Sequence, residues 1–404
     1  MRSEQEVTRY LDRVLVWVAD HARPLPSLSP ENAASERARL VQCLEMGEVP
    51  VPVSTAKRGR VDGAVYREID QARTVASGSP LGTLYADRLC ELELDLAILE
   101  AWGEPKRVRP LCVRRYGSGN ERVPARDGLV SLVDLARSIL SDVAPLEPEA
   151  RPLPPVAGRG KPSVASLVLR AAVGVGLDPD VRVEPRLASL AATGERTVFL
   201  AQRMFGLREA RRLVAHEVFG HLVTAANARA QSLRLLQVGL KGAFADQEGA
   251  ALYLEAALGL MCADRLRTLA GRVVATRALH EGASYGETAR LMYRQHGFSA
   301  EASVLMAERA FRGGGVARDA GYLAGFVRVR AAVEAGEVSL DELRRGRVAL
   351  AQVPLLREHE LAGHVSPPCY RPSLARSREL TLGGTSSDTS PPSEAASFTM
   401  FELT

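Results

Sequence analysis

The chain spells His-Glu-x-x-x-His at His216-Glu217-Val218-Phe219-Gly220-His221, and this spacing restricts the local fold more than any other feature. Two imidazoles with a carboxylate beside the first are the parts of a zinc hydrolase: the rings hold the metal and the Glu handles a proton of its water. The familiar zinc helix carries its His pair at i and i+4, about 40° apart around the axis, whereas a pair at i and i+5 lies about 140° apart on a regular helix. Both rings reach one ion only if the helix is widened, and one extra residue in the turn, a π-type bulge, realigns them. Gly220 tolerates such a distortion. An irregular turn is therefore expected between Glu217 and His221, and a straight helix there would count against a metal site. The alternative is a capping and a surface histidine on an ordinary helix over residues 206–230, whose apolar face is Leu213, Val214, Val218 and Leu222. That alternative leaves Glu217 and Glu248 in apolar runs, where unpaired charge is costly, for no evident reason.

A catalytic zinc takes three protein ligands and leaves one position for water. The stretch from Ala243 to Leu258 reads as an Ala/Leu-rich helix with few carboxylates, and Glu248 and Glu255, two turns apart, share nearly one face. Glu248 is the candidate third ligand. Glu255 is then expected to fix the ring of a ligating His. A second match, His359-Glu360-Leu361-Ala362-Gly363-His364, follows a helix-like stretch from Leu340 to Val353 and runs into Ser366-Pro367-Pro368-Cys369. Prolines end regular structure there, and no apolar helix with an inward carboxylate follows, so His359 and His364 read as structural.

The first motif, followed by Gln247-Glu248-Gly249-Ala250-Ala251, resembles the QEGLA-motif family, which comprises bacterial proteins labelled as flavohemoglobin expression-modulating and the microtubule-associated tyrosine carboxypeptidases. Phe311-Arg312-Gly313-Gly314-Gly315, then Arg318-Asp319-Ala320-Gly321-Tyr322-Leu323-Ala324-Gly325, are similar to its later block, and the likeness spans roughly residues 60–375. The resemblance implies a zinc metallopeptidase with His216, His221 and Glu248 on the metal and Glu217 as catalyst. Tyr322, from its place in the later block, is the candidate donor to the tetrahedral oxyanion; the alternative is a packed Tyr with a surface hydroxyl. An exopeptidase acting at C-termini also binds a free carboxylate, for which the forked guanidinium is suited; Arg312 and Arg318 are candidates. The family further implies preference for a C-terminal aromatic or bulky residue. Departures are Ala250 where the family has Leu, Arg318 where Lys is usual, and Phe219 and Gly220 inside the first motif.

Composition bounds the rest. The chain has 404 residues, 46% hydrophobic and 25% charged, with aromatics at 5%, which suits a globular protein whose core is Leu, Val and Ala. The net charge of +4 is carried almost wholly by Arg spread along helices. That spread lacks the clustered basic and aromatic residues of a nucleic-acid reader. Cys43, Cys90, Cys112, Cys262 and Cys369 include no C-x-x-C pair, which argues against a disulfide scaffold and suits a reducing compartment. Residues 1–18 read as an amphipathic helix, not a signal peptide, and no run reaches the roughly 20 apolar residues of a membrane span. A cytoplasmic location without membrane contact is expected.

These patterns give an α+β, mostly α-helical fold: a helical metallopeptidase core with a small β-sheet ahead of the metal helix. Helices are expected over 4–21, 81–102, 129–140 and 163–175. Val181–Glu184 and Thr197–Leu200 read as strands around a polar turn, forming either a substrate-edging strand pair or a structural hairpin. The expected organisation is an N-terminal helical region (1–143), a Pro-rich linker (144–162), a zinc-dependent catalytic domain (163–376) and a disordered tail (377–404). The leading expectation is a zinc-dependent carboxypeptidase acting on peptide or protein C-termini. Alternatives are a regulatory or scaffold protein with structural or absent zinc, and an endopeptidase processing a specific small peptide. The sequence leaves the oligomeric state open.

Overall fold

A computed structural model of the protein describes residues 3–22, 33–53, 60–126, 128–145, 152–158, 160–185, 187 and 189–382. Packing divides the described residues into two units: those up to Ala144 with Leu266–Ala324, and those of Pro145–Arg265 with Gly325–Leu382. The stretch expected to form one catalytic domain, 163–376, is therefore shared between units. The physical reason lies in the apolar faces of its middle third. Tyr285, Ala289, Ala300, Val304 and Ala307 bury themselves against Leu40 and Leu44. The Arg267 guanidinium donates to the carbonyls of Leu140 and Val143 at 2.9 and 2.6 Å.

The first unit opens with the helix Glu4–His21, started by a reciprocal cap in which the Ser3 hydroxyl accepts from the Glu6 amide. Its apolar stripe (Leu11, Val14, Leu15, Val18) is buried and packs on the helices Gly63–Ala76 and Gly82–Glu100. Each fully buried side chain of this kind stabilises by about 1.5–3 kcal/mol. The expected helix over 129–140 begins later, at Leu132. Gly128–Ser131 is instead a strand (β2) paired antiparallel with Arg122–Ala125 (β1), a hairpin too short to show as alternation.

The second unit carries a three-stranded sheet of Asp180–Glu184 (β3), Ala191–Thr193 (β4) and Thr197–Ala201 (β5), in the order β3-β5-β4. The two strands read from the sequence are not a hairpin. β3 and β5 run parallel, Val181 beside Val198, and β4 returns antiparallel to β5 at the edge, Thr193 beside Val198. The helix Val164–Val173 and the sheet bury Val168, Val198 and Leu200 with Val214, Val218 and Phe219 of the metal-motif helix. Described parts of the expected linker are pinned, since Leu153 pairs with Phe205 and the carbonyls of Pro154 and Pro155 accept from Val164 and Ala165. The expected helix over 340–353 is interrupted: Leu340–Leu343 is one turn, and regular helix resumes at Val353–Leu361. The expected tail begins later than residue 377, because Leu374–Leu382 is a helix with Ser377 and Thr381 buried; residues 383–404 lie outside the described residues. Among the described residues, no helix is long and apolar enough to cross a membrane.

Candidate functional site

The helix after β5 changes its hydrogen bonding where the spacing demanded it. Leu207–Leu213 is α-helical, Val214–Leu222 is a π-helix, and Val223–Ala230 is α-helical again. Bonding from i to i+5 puts one more residue in the turn, so residues five apart sit as residues four apart would on an α-helix. His216 and His221 consequently meet, Nε2 to Nε2, at 3.2 Å.

Gly220 has a different task from the one its conformational freedom suggested. Its φ is not positive, but a Cβ there would stand 2.8 Å from the Ala251 Cβ. The glycine lets the π-helix lie against the helix Ala243–Ala257. On that second helix a Cβ at Gly249 would overlap the Gly325 carbonyl, so small residues bring backbones together on two sides. Gln247 anchors its first turn by donating to the carbonyls of Leu343 and Val348 at 3.0 and 2.8 Å. Asp246 pairs with Arg328 at 2.7 Å and accepts from the Leu350 amide at 2.9 Å. A Gly220→Ala change is expected to destabilise the protein by about 1–3 kcal/mol through overpacking. Denaturant unfolding of the two proteins would measure it, and equal midpoints would contradict the close-packing account.

This approach delivers Glu248 to the histidine pair. Its Oε2 lies 3.4 Å from His216 Nε2 and 3.8 Å from His221 Nε2. Among the described residues, His216, His221 and Glu248 are the one group of three or more such side chains able to offer ligand atoms to a common ion. Tetrahedral ligands about 2.0–2.1 Å from a zinc ion are about 3.4 Å from one another. Separations of 3.2, 3.4 and 3.8 Å therefore fit three corners of that tetrahedron.

Behind His216 stands Glu255, fully buried, its Oε1 2.7 Å from His216 Nδ1. Arg265 grips both Glu255 oxygens at 3.0 Å, and Arg212 approaches Oε1 at 3.5 Å. Burial favours the neutral acid, but the two guanidiniums and His216 hold the Glu255 carboxyl far below the usual range. The ionised carboxylate fixes the His216 ring so that Nε2 faces His221 and Glu248. Burial also disfavours a charged His216, yet hydrogen bonds to Glu248 and Glu255 outweigh it and raise its pKa to about 9. Glu248 is depressed well below its ordinary value, its burial overcome by hydrogen bonds to both rings.

Glu217 is buried and accepts, at Oε2, a 2.7 Å hydrogen bond from the Thr193 hydroxyl at the end of β4. Thr193 was not legible beforehand, since nothing in Ala191-Ala192-Thr193 marks it. The second His-Glu-x-x-x-His ends a helix. Its Nδ1 atoms are 3.3 Å apart, but Glu360 is taken by Arg345 at 2.6 Å, and no third donor joins the pair among the described residues.

A model of the family described as microtubule-associated tyrosine carboxypeptidase matches residues 61–382. The chain belongs to that family. Carboxypeptidases are hydrolases that remove a C-terminal residue, and the matched span holds every residue of the cluster. No curated protein and no solved structure matches the chain. The segment similar to the family's later block, up to Ala324, closes the Leu266–Ala324 part of the first unit. There Tyr322 has the Arg272 guanidinium 5.2 Å over its ring, and Asp319 is paired with Arg309 and, at 3.7 Å, with Arg272. Arg312 is half-buried, and its pKa is lowered by burial and by the cations Arg309 and Arg318. Tyr322, Arg312 and Arg318 thus belong to the first unit, and the cluster to the second.

Proposed function

We propose that this family member is a zinc-dependent carboxypeptidase in which His216, His221 and Glu248 hold the metal and Glu217 moves the protons. What most supports the reading is the spacing of the three donor atoms, 3.2 to 3.8 Å apart, beside a buried carboxylate that is not one of them. Zinc in such a site supplies a Lewis acid for the peptide carbonyl and lowers the pKa of water towards about 7. Glu217 accepts a proton from the attacking water and returns it to the leaving amine, so that one water and one peptide bond become a shortened peptide and a free amino acid. Glu255, gripped by Arg265 and Arg212, keeps His216 in the orientation that presents Nε2. The substrate is a peptide or protein C-terminus ending in an aromatic or bulky residue, a preference that rests on the family. The roles expected of Tyr322, Arg312 and Arg318 rest on the family block alone, and the proposal does not depend on them.

The test is mass spectrometry of Tyr-terminated peptides, free acid and amide, incubated with zinc-loaded protein. Loss of the terminal residue from the free acid only is expected. Internal cuts would make the protein an endopeptidase, and intact peptides with zinc bound would make it a regulatory or scaffold protein.

The raised pKa of His216 sets a pH dependence. Without metal, its pairing with Glu248 and Glu255 stabilises the fold fully below the ordinary histidine value of about 6.5, and is lost as pH rises through about 9. Metal binding runs the other way, because zinc must displace that proton. Apparent zinc affinity is therefore expected to rise about tenfold per pH unit between pH 6.5 and 8.5. Competition titrations with a chelator would show it, and a flat profile would contradict the assignment.

A further inference from the structure

The three-residue strand β4 ends at Thr193, and the Thr193 hydroxyl reaches the π-helix. It lies 2.7 Å from Glu217 Oε2 and 3.3 Å from the Glu217 carbonyl oxygen. The shorter contact is to a carboxylate, the stronger acceptor. Among the described residues no other donor reaches the Glu217 carboxylate. A Glu side chain has three rotatable bonds, and burial alone does not choose among its rotamers. The two buried acids beside the histidines are held by different chemistry. Glu255 is clamped by two guanidiniums, which orient it and cancel its charge. Glu217 is held by a neutral hydroxyl, which orients a carboxylate without neutralising it and leaves Oε1 for a proton.

We propose that Thr193 is a positioning residue for Glu217: the edge of the sheet holds the carboxylate that moves protons in the proposed hydrolysis. The inference rests on that reading of Glu217. It also explains why a small sheet precedes the metal helix, since the order β3-β5-β4 puts β4 at the margin and Thr193 at its end. Sequence alone placed β3 and β5 and assigned them only a substrate edge or a structural pairing.

Thr193→Val removes the hydroxyl while keeping the shape and strand preference of a β-branched side chain, and Thr193→Ser keeps the hydroxyl. In the zinc-loaded full chain, Thr193→Val is expected to lower kcat about 10- to 100-fold with KM and zinc content within about threefold of the parent, and Thr193→Ser to restore most of the rate. A parent-like kcat in Thr193→Val, a loss confined to KM, or no rescue by Ser would overturn the proposal. Crystal structures of the parent and Thr193→Val supply a readout free of turnover. The Glu217 carboxylate is expected in one position in the parent and displaced or spread over several in the variant; an unmoved carboxylate overturns the inference. If the parent hydrolyses no peptide, the functional reading fails on its own, while this comparison still decides whether Thr193 positions Glu217.

Discussion

Glu217→Gln is expected to bind zinc as the parent does and to lose nearly all peptide hydrolysis, by about 10²- to 10⁴-fold in kcat. The amide is isosteric with the carboxylate, and its oxygen can still accept from the Thr193 hydroxyl, which lies 2.7 Å from Oε2. It cannot take a proton from water at neutral pH. The proposed metal set loses nothing, because its donor atoms would be His216 Nε2, His221 Nε2 and a Glu248 oxygen. Zinc content and turnover on one preparation separate the two effects. Lost zinc would place Glu217 among the ligands, and retained activity would remove it from the chemistry.

Glu248→Ala is expected to do the reverse and empty the site. Two imidazoles 3.2 Å apart remain, but the third corner is gone. The weakening of zinc binding should exceed the roughly 10- to 100-fold typical of residues that only support ligands. The same change removes one of the two carboxylates whose hydrogen bonds keep His216 charged without metal, so the His216 pKa should fall from about 9. Metal analysis after dialysis, with an NMR titration of the ring, reads both. Unchanged zinc occupancy would take Glu248 out of the ligand set.

Much of this centre was legible in the sequence because helical geometry is strict. A His pair five apart cannot share an ion on a regular helix, so an irregular turn between Glu217 and His221 was expected, and the π-helix Val214–Leu222 contains it. Glu248 and Glu255, seven apart, share a face on any α-helix, and one meets the histidines while the other backs His216. Prolines after His364 marked the second motif as a helix end. What stayed hidden depends on contacts distant in the chain. Thr193 reaches Glu217 across 24 residues, Gly220 answers to Ala251 and not to its own backbone, and Arg265 reaches Glu255 from the next helix. The parallel pairing of β3 with β5 was hidden by β4, whose Ala-Ala-Thr carries almost no strand signal. The grouping of 266–324 with the N-terminal region depends on which apolar faces meet, and periodicity within each helix is silent on partners.

The most direct measurement is an anomalous difference map at the zinc absorption edge from crystals of the zinc-loaded chain. One peak is expected, about 2.0–2.2 Å from His216 Nε2, His221 Nε2 and a Glu248 carboxylate oxygen. No peak between those atoms, or a peak at His359 and His364 instead, would contradict the account.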